Sequence, residues 1–229
     1  MSTGSIWIIM IAVMILSQIV QSMLQSRFEK YSRIPTNNRM TGAEIAAKML
    51  ADNGVTDVKI TCVPGRLTDH YNPQTKTVNL SEAVYGQCSI AAAAVAAHEC
   101  GHVLQHSKGY LPLKLRTALV PVVSFSSRIV QWVLLAGVLM VSMFHSYPVL
   151  ICGVVLFALT TLFSLVTLPV EINASSRAVG WLENAGVTNY ETKPMAIDCL
   201  KWAAYTYVIA AVGSLATLLY YLSFLNDRR

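Results

Sequence analysis

Apolar positions gather into four long runs, Ile6–Leu24, Ile129–Phe144, Val149–Leu168 and Ala203–Leu225. A helix needs about 20 mostly apolar residues to cross about 30 Å of hydrocarbon, and three of the runs reach that length unaided. The second is shorter, with Arg128 at its edge. That predicts a helix beginning near Thr117, its guanidinium snorkelling toward the headgroups rather than lining a path through the bilayer. Ile6–Leu24 has no basic stretch before it and no small-x-small pattern after it, so it reads as a retained anchor and not a secretory signal.

Between the runs the periodicity changes. "TGAEIAAKMLADNG" sets Thr41 and Glu44 at capping-box spacing and closes on Asn53-Gly54, which predicts a short amphipathic helix. "VTDVKITCV" alternates as a strand, and "RLTDHYNPQTKTVNL" predicts two strands about the turn Asn72-Pro73-Gln74-Thr75. Ser81 is placed to cap a helical turn before Gly86, and Ser89 to cap a helix running to about Ser107 and ended by Gly109. "PVEINASSRAVGWLENAG" reads as a separate helix stopped by Asn184 and Gly186, and Thr192 and Pro194 suit the N-cap and first position of the last helix.

The expected organisation is an anchor over 5–25, a polar region over 26–116, a transmembrane hairpin over 117–169, a further polar helix over 170–200 and a last transmembrane helix over 201–226. The fold class is a mainly α membrane protein with about four transmembrane helices and a small α+β region. The polar parts are small for a core of their own, so they are expected to pack on the chain's own membrane helices.

Composition agrees. Of 229 residues 54% are hydrophobic and 13% charged, with a mean hydropathy of +0.50, where soluble domains carry about 25% charged residues. Charge then orients the chain. Twelve Lys/Arg lie between residues 25 and 128 and three between 170 and 201, whereas none precedes the first run and none occupies the turn His145–Pro148. The positive-inside bias puts the polar segments in the cytoplasm, against which only Arg228 and Arg229 speak. Flanking residues thus account for the net charge of +5. No nucleic-acid motif accompanies it, so nucleic acid is not an expected partner. Five cysteines (Cys62, Cys88, Cys100, Cys152, Cys199) without CxxC spacing read as free thiols.

The chemistry concentrates in "AAAAVAAHECGHVLQHSKG". On a helix, residues i and i+4 are about 6 Å apart along the axis and about 40° apart around it, so His98 and His102 can reach one ion. Glu99 falls on the adjoining face, within reach of a metal-activated water but outside the ligand set, as in HExxH hydrolases. Gly101 lets another backbone come close. Cys100 points about 200° away from His98 and is a packing residue.

A catalytic zinc needs a third protein ligand and an open fourth position. His106 lies about 12 Å along the helix from His98, too far to share its metal, and reads as a charge partner of the helix C-terminus. Lys108 stands where a metzincin would have its third histidine. Glu171 in "LPVEINASSRA" is the better candidate. Two membrane crossings separate it from His102, which returns both to one side. Against this stands an ordinary carboxylate favoured at a helix N-terminus.

"TDHYNPQTKTVNLSE", "AAVAAHECGH" and "LPVEINASSRA" together resemble the bacterial membrane-bound neutral zinc metallopeptidases, often labelled YugP-like, over nearly the whole chain. The resemblance implies a zincin-like catalytic region of gluzincin type in the bacterial inner membrane. One zinc per chain would sit on His98, His102 and Glu171, with Glu99 as general base. Related gluzincins often carry an aspartate four residues after the glutamate ligand to orient a histidine; Ser175 stands there in this chain.

The expected reaction is hydrolysis of peptide bonds in membrane-associated or unfolded proteins on the cytoplasmic side. Arg177, ahead of His70 and Tyr71, is the candidate for stabilising the oxyanion. "KTVNLS" is a candidate edge strand for holding an extended peptide. The contrasting expectation is a non-catalytic zinc-binding scaffold or chaperone-like adaptor, although structural zinc usually fills all four positions with Cys or His. An intramembrane protease is a poor fit, because the HExxH helix is mostly alanine and runs into Lys108.

Overall fold

The structure is a computed structural model and describes residues 3–226; Arg228 and Arg229 lie outside the described residues. Its elements run α1 (Thr3–Ser32), α2 (Gly42–Asp52), β1 (Lys59–Val63), β2 (His70–Asn72), β3 (Thr77–Ser81), α3 (Glu82–Tyr85), α4 (Ile90–Ser107), α5 (Leu111–Phe144), α6 (Pro148–Asn184) and α7 (Lys193–Asn226). Four of these helices are long and apolar enough to cross a membrane, over Trp7–Ser32, Leu111–Phe144, Pro148–Asn184 and Lys193–Ser223. The fold is that of a mainly α membrane protein with a small α+β part. It resolves into two compact units: residues up to Ile19, Lys114–Leu168 and residues from Thr206 form one, and Val20–Leu113 with Pro169–Tyr205 form the other.

In the first unit α5 and α6 make an antiparallel hairpin. Val130 and Leu134 of α5 pack on Leu150 and Val154 of α6. Glycine permits the close approach: a Cβ on Gly137 would lie 2.6 Å from the Leu150 Cα. Helix α7 closes on α1 in the same way, with Gly213 against the Val13 side chain. Helix α5 begins at Leu111, six residues before the expected Thr117, and continues through Pro121. Arg128 is inside this long helix, as expected, and lies still further from its start. It is exposed and makes no ion pair or hydrogen bond among the described residues, so it faces outward from this unit.

Helix α6 also differs from expectation. The segment after Pro169 is not a new helix but the continuation of one that starts at Pro148. A proline removes one N–H from the ladder, a loss that long apolar helices tolerate where neighbouring groups compensate. Pro194 is likewise the second residue of α7 and not its first.

The second unit holds the sheet and the HExxH helix. Thr41 and Glu44 form the reciprocal capping box of α2, and Ser89 Oγ accepts from the Ala92 amide at the start of α4. Gly54, Gly109 and Gly186 take positive φ where their helices end. Ser81 stands at the N-cap of α3, but its side chain makes no capping hydrogen bond. Its hydroxyl and amide both donate to Asp69, which fastens the β1–β2 loop instead. Burial, opposed by those bonds, raises the Asp69 carboxyl above its ordinary range.

The strand order is β1-β3-β2, with β3 parallel to β1 and antiparallel to β2. "KTVNLS" is therefore the central strand, not an edge; both of its hydrogen-bonding sides are used. The free edges belong to β1 and β2.

Residues Ala91–Ala94, Ala96 and Ala97 of α4 are fully buried, among Ile45, Met49, Leu80, Val84, Leu182 and Leu200. A helix apolar on every side is one meant for the interior. Alanine gives that burial with the best helix propensity and the least bulk, so other elements can surround it. The alanine run is the heart of a folded core.

Candidate metal centre

Two helices build the centre. His98, Glu99 and His102 lie on α4 and Glu171 on α6. Gly101 brings the helices together. A Cβ there would stand 2.7 Å from the Ala174 carbonyl oxygen, a contact real side chains do not make. Glu171 lies 24 residues into α6 rather than at a helix start, so the N-terminal dipole does not explain it.

His98 Nε2 lies 3.2 Å and His102 Nε2 3.6 Å from the same Glu171 carboxylate oxygen. All three ligand atoms fall within 4.8 Å of one another. Tetrahedral zinc with bonds of about 2.0–2.1 Å needs its ligand atoms roughly 3.3–3.4 Å apart, so the observed spacings bracket the requirement. Two imidazoles and a carboxylate are also the donor set of a catalytic zinc with one position left open. The residues present fit the metal. Among the described residues this is the one cluster of three or more such side chains whose ligand atoms converge.

Burial sharpens the electrostatics. The Glu171 side chain is 3% exposed, and Glu99 is 8% exposed with no hydrogen bond to protein among the described residues. Burial alone would lower the proton affinity of His102. The hydrogen bond the protonated ring donates to Glu171 and the charges of Glu99 and Glu171 outweigh it, leaving the ring above the ordinary histidine value. Two buried carboxylates beside two imidazoles make a site that favours a divalent cation.

Each imidazole has an outer partner. His98 Nδ1 lies 3.1 Å from Ser175 Oγ, so the serine hydroxyl is placed to orient that ring. His102 Nδ1 lies 3.1 Å from Gln105 Oε1, and the Gln105 amide in turn donates to the Val170 carbonyl at 2.7 Å and to Asn173 Oδ1 at 3.1 Å. Gln105 and Asn173 were not evident from the sequence pattern. The available signal was a glutamine three residues past a ligand histidine in an otherwise apolar stretch.

The remaining candidates divide. Arg177 Nε donates to Asn173 Oδ1 at 2.8 Å, which ties it to the same network. His70 is engaged at both ring nitrogens, by the Thr68 carbonyl and the Asn79 amide. Tyr71 OH meets His106 Nδ1 at 3.0 Å, linking β2 to the end of α4. Cys100 is a packing residue, its thiol donating to the Ala46 carbonyl. Burial, with the Glu99 charge behind it, pushes that thiol far above the range in which it would ionise.

Comparison with known proteins follows the same lines. A protein-family profile described as "Putative neutral zinc metallopeptidase" matches residues 6–226. The chain is 42% identical over 219 residues to the "Putative membrane protease YugP" of Bacillus subtilis (strain 168), covering 95% of this chain and 96% of that one. No solved structure matches it.

Proposed function

Because the chain belongs to the family described as "Putative neutral zinc metallopeptidase", we propose that it is a membrane-bound zinc endopeptidase with His98, His102 and Glu171 as ligands and Glu99 as general base. The observation that carries this reading is the convergence of two imidazoles on one buried carboxylate oxygen, at 3.2 and 3.6 Å, with the neighbouring Glu99 carboxylate free of protein hydrogen bonds among the described residues. A bound zinc would acidify a water toward a pKa of about 7 and polarise the scissile carbonyl. Glu99 would accept the proton of the attacking water and return it to the leaving amine. A three-residue donor set favours catalysis over a structural role, which would call for a fourth ligand.

Arg177 is the candidate oxyanion donor on this reading. Its Nε is held by Asn173, while its terminal nitrogens have no protein partner among the described residues. Arg177→Ala is expected to leave zinc content unchanged and lower kcat by roughly 10²-fold, the usual effect of losing one oxyanion donor. Equal activity in that variant would return Arg177 to a structural role.

On this reading each chain holds one zinc in the bacterial inner membrane, and the positive-inside distribution of Lys and Arg supports a site on the cytoplasmic side. Substrates are then membrane proteins with exposed tails or loops, or unfolded chains, which tethering brings to high local concentration. With β3 central, the free edge of β2 is the place for an extended segment to pair.

The test is metal removal. Purified protein is expected to carry zinc and cleave an unfolded or membrane-anchored substrate, to lose cleavage on chelation, and to regain it when zinc returns. Cleavage that persists after complete zinc removal would end the reading.

A further inference from the structure

Gln105 is wholly buried, yet all its hydrogen-bonding groups are used. The polarity of these bonds is forced. A backbone carbonyl only accepts, so the Val170 oxygen requires the Gln105 nitrogen beside it, and flipping the amide would set two oxygens 2.7 Å apart. Asn173 is fixed in the same way, because Arg177 Nε only donates and must meet the Asn173 oxygen. The Gln105 oxygen is left facing His102 Nδ1, and an amide oxygen only accepts. His102 must therefore carry its proton on Nδ1, which leaves the Nε2 lone pair directed at the Glu171 side. His98 is under no such constraint, since the Ser175 hydroxyl can donate or accept.

We propose that Gln105 is a positioning residue of the metal centre, a role that rests on the zinc-peptidase reading above. It holds His102 in the tautomer that presents Nε2 to the ion and fastens α4 to α6 beside the third ligand. Two of its three bonds land on α6, at Val170 and Asn173, either side of Glu171. The orientation of one ligand and the position of another are thus set by a single side chain. Outer partners of ligand histidines typically change metal affinity by 10- to 100-fold.

Gln105→Met in the full chain in detergent fills the same space without polar groups. Its zinc affinity, measured by competition with a chromophoric chelator, is expected to fall roughly 10- to 100-fold. A merely structural role would not move the second readout. In the metal-free protein, at a pH where the rings are neutral, ¹⁵N shifts should place the His102 proton on Nδ1 in wild type and partly on Nε2 in the variant. If Gln105→Met does not fold, the half-buried Asn173→Leu removes one anchor of the amide and is expected to weaken zinc binding by a smaller factor with the same tautomer shift. Wild-type affinity and an unmoved tautomer, in whichever variant folds, overturn the role of Gln105. A wild-type chain that takes up no zinc overturns the peptidase reading instead.

Discussion

Glu99→Gln is expected to abolish measurable peptide cleavage while leaving zinc bound. Glutamine has the shape of glutamate but cannot accept a proton from water. Loss of a general base costs about 10²- to 10⁴-fold in rate, or about 3 to 5 kcal/mol of barrier. The structure supports separating chemistry from binding here. The converging ligand atoms are those of His98, His102 and Glu171, without Glu99. Because the Glu99 carboxylate makes no hydrogen bond to protein among the described residues, the substitution breaks no internal hydrogen bond and the fold should survive it. The measurement pairs zinc content with turnover of a membrane-anchored or unfolded substrate. Stoichiometric zinc with turnover lost assigns the base; turnover at the wild-type rate removes it.

What could be read in advance followed local rules. The α2 capping box needs only Thr41 and Glu44 three residues apart, and the ends of α4 need only Ser89 and Gly109. The pairing of His98 with His102 is helix geometry, and the choice of Glu171 used the parity of two crossings. Non-local relations were harder. A turn shows that β2 and β3 pair, but nothing in "VTDVKITCV" tells which strand it will join, and β1 joined the far side of β3. Pro169 looks like a boundary because proline usually is one, yet α6 runs through it. Gln105 was invisible for a similar reason: its partners on α6 are 65 and 68 residues away.

Glu171→Gln is expected to empty the metal site. Glutamine preserves the packing volume but replaces an anionic ligand with a neutral amide, and its nitrogen would repel the ion where the oxygen had bound it. Changing an outer partner costs 10- to 100-fold in affinity, so losing a ligand should cost at least about 10²-fold. Cleavage should fall with zinc occupancy rather than independently of it, the reverse of the Glu99→Gln pattern. Gly101 supplies the reason that a residue so distant in sequence can matter so much. Only without a Cβ at that position does α4 come near enough to Ala174 for a carboxylate one turn earlier on α6 to meet both imidazoles. The proposed third ligand is therefore brought to the imidazoles by backbone contact between two helices, not by local sequence. Full zinc occupancy in a folded Glu171→Gln protein would mean that the carboxylate lies beside the imidazoles without sharing their ion.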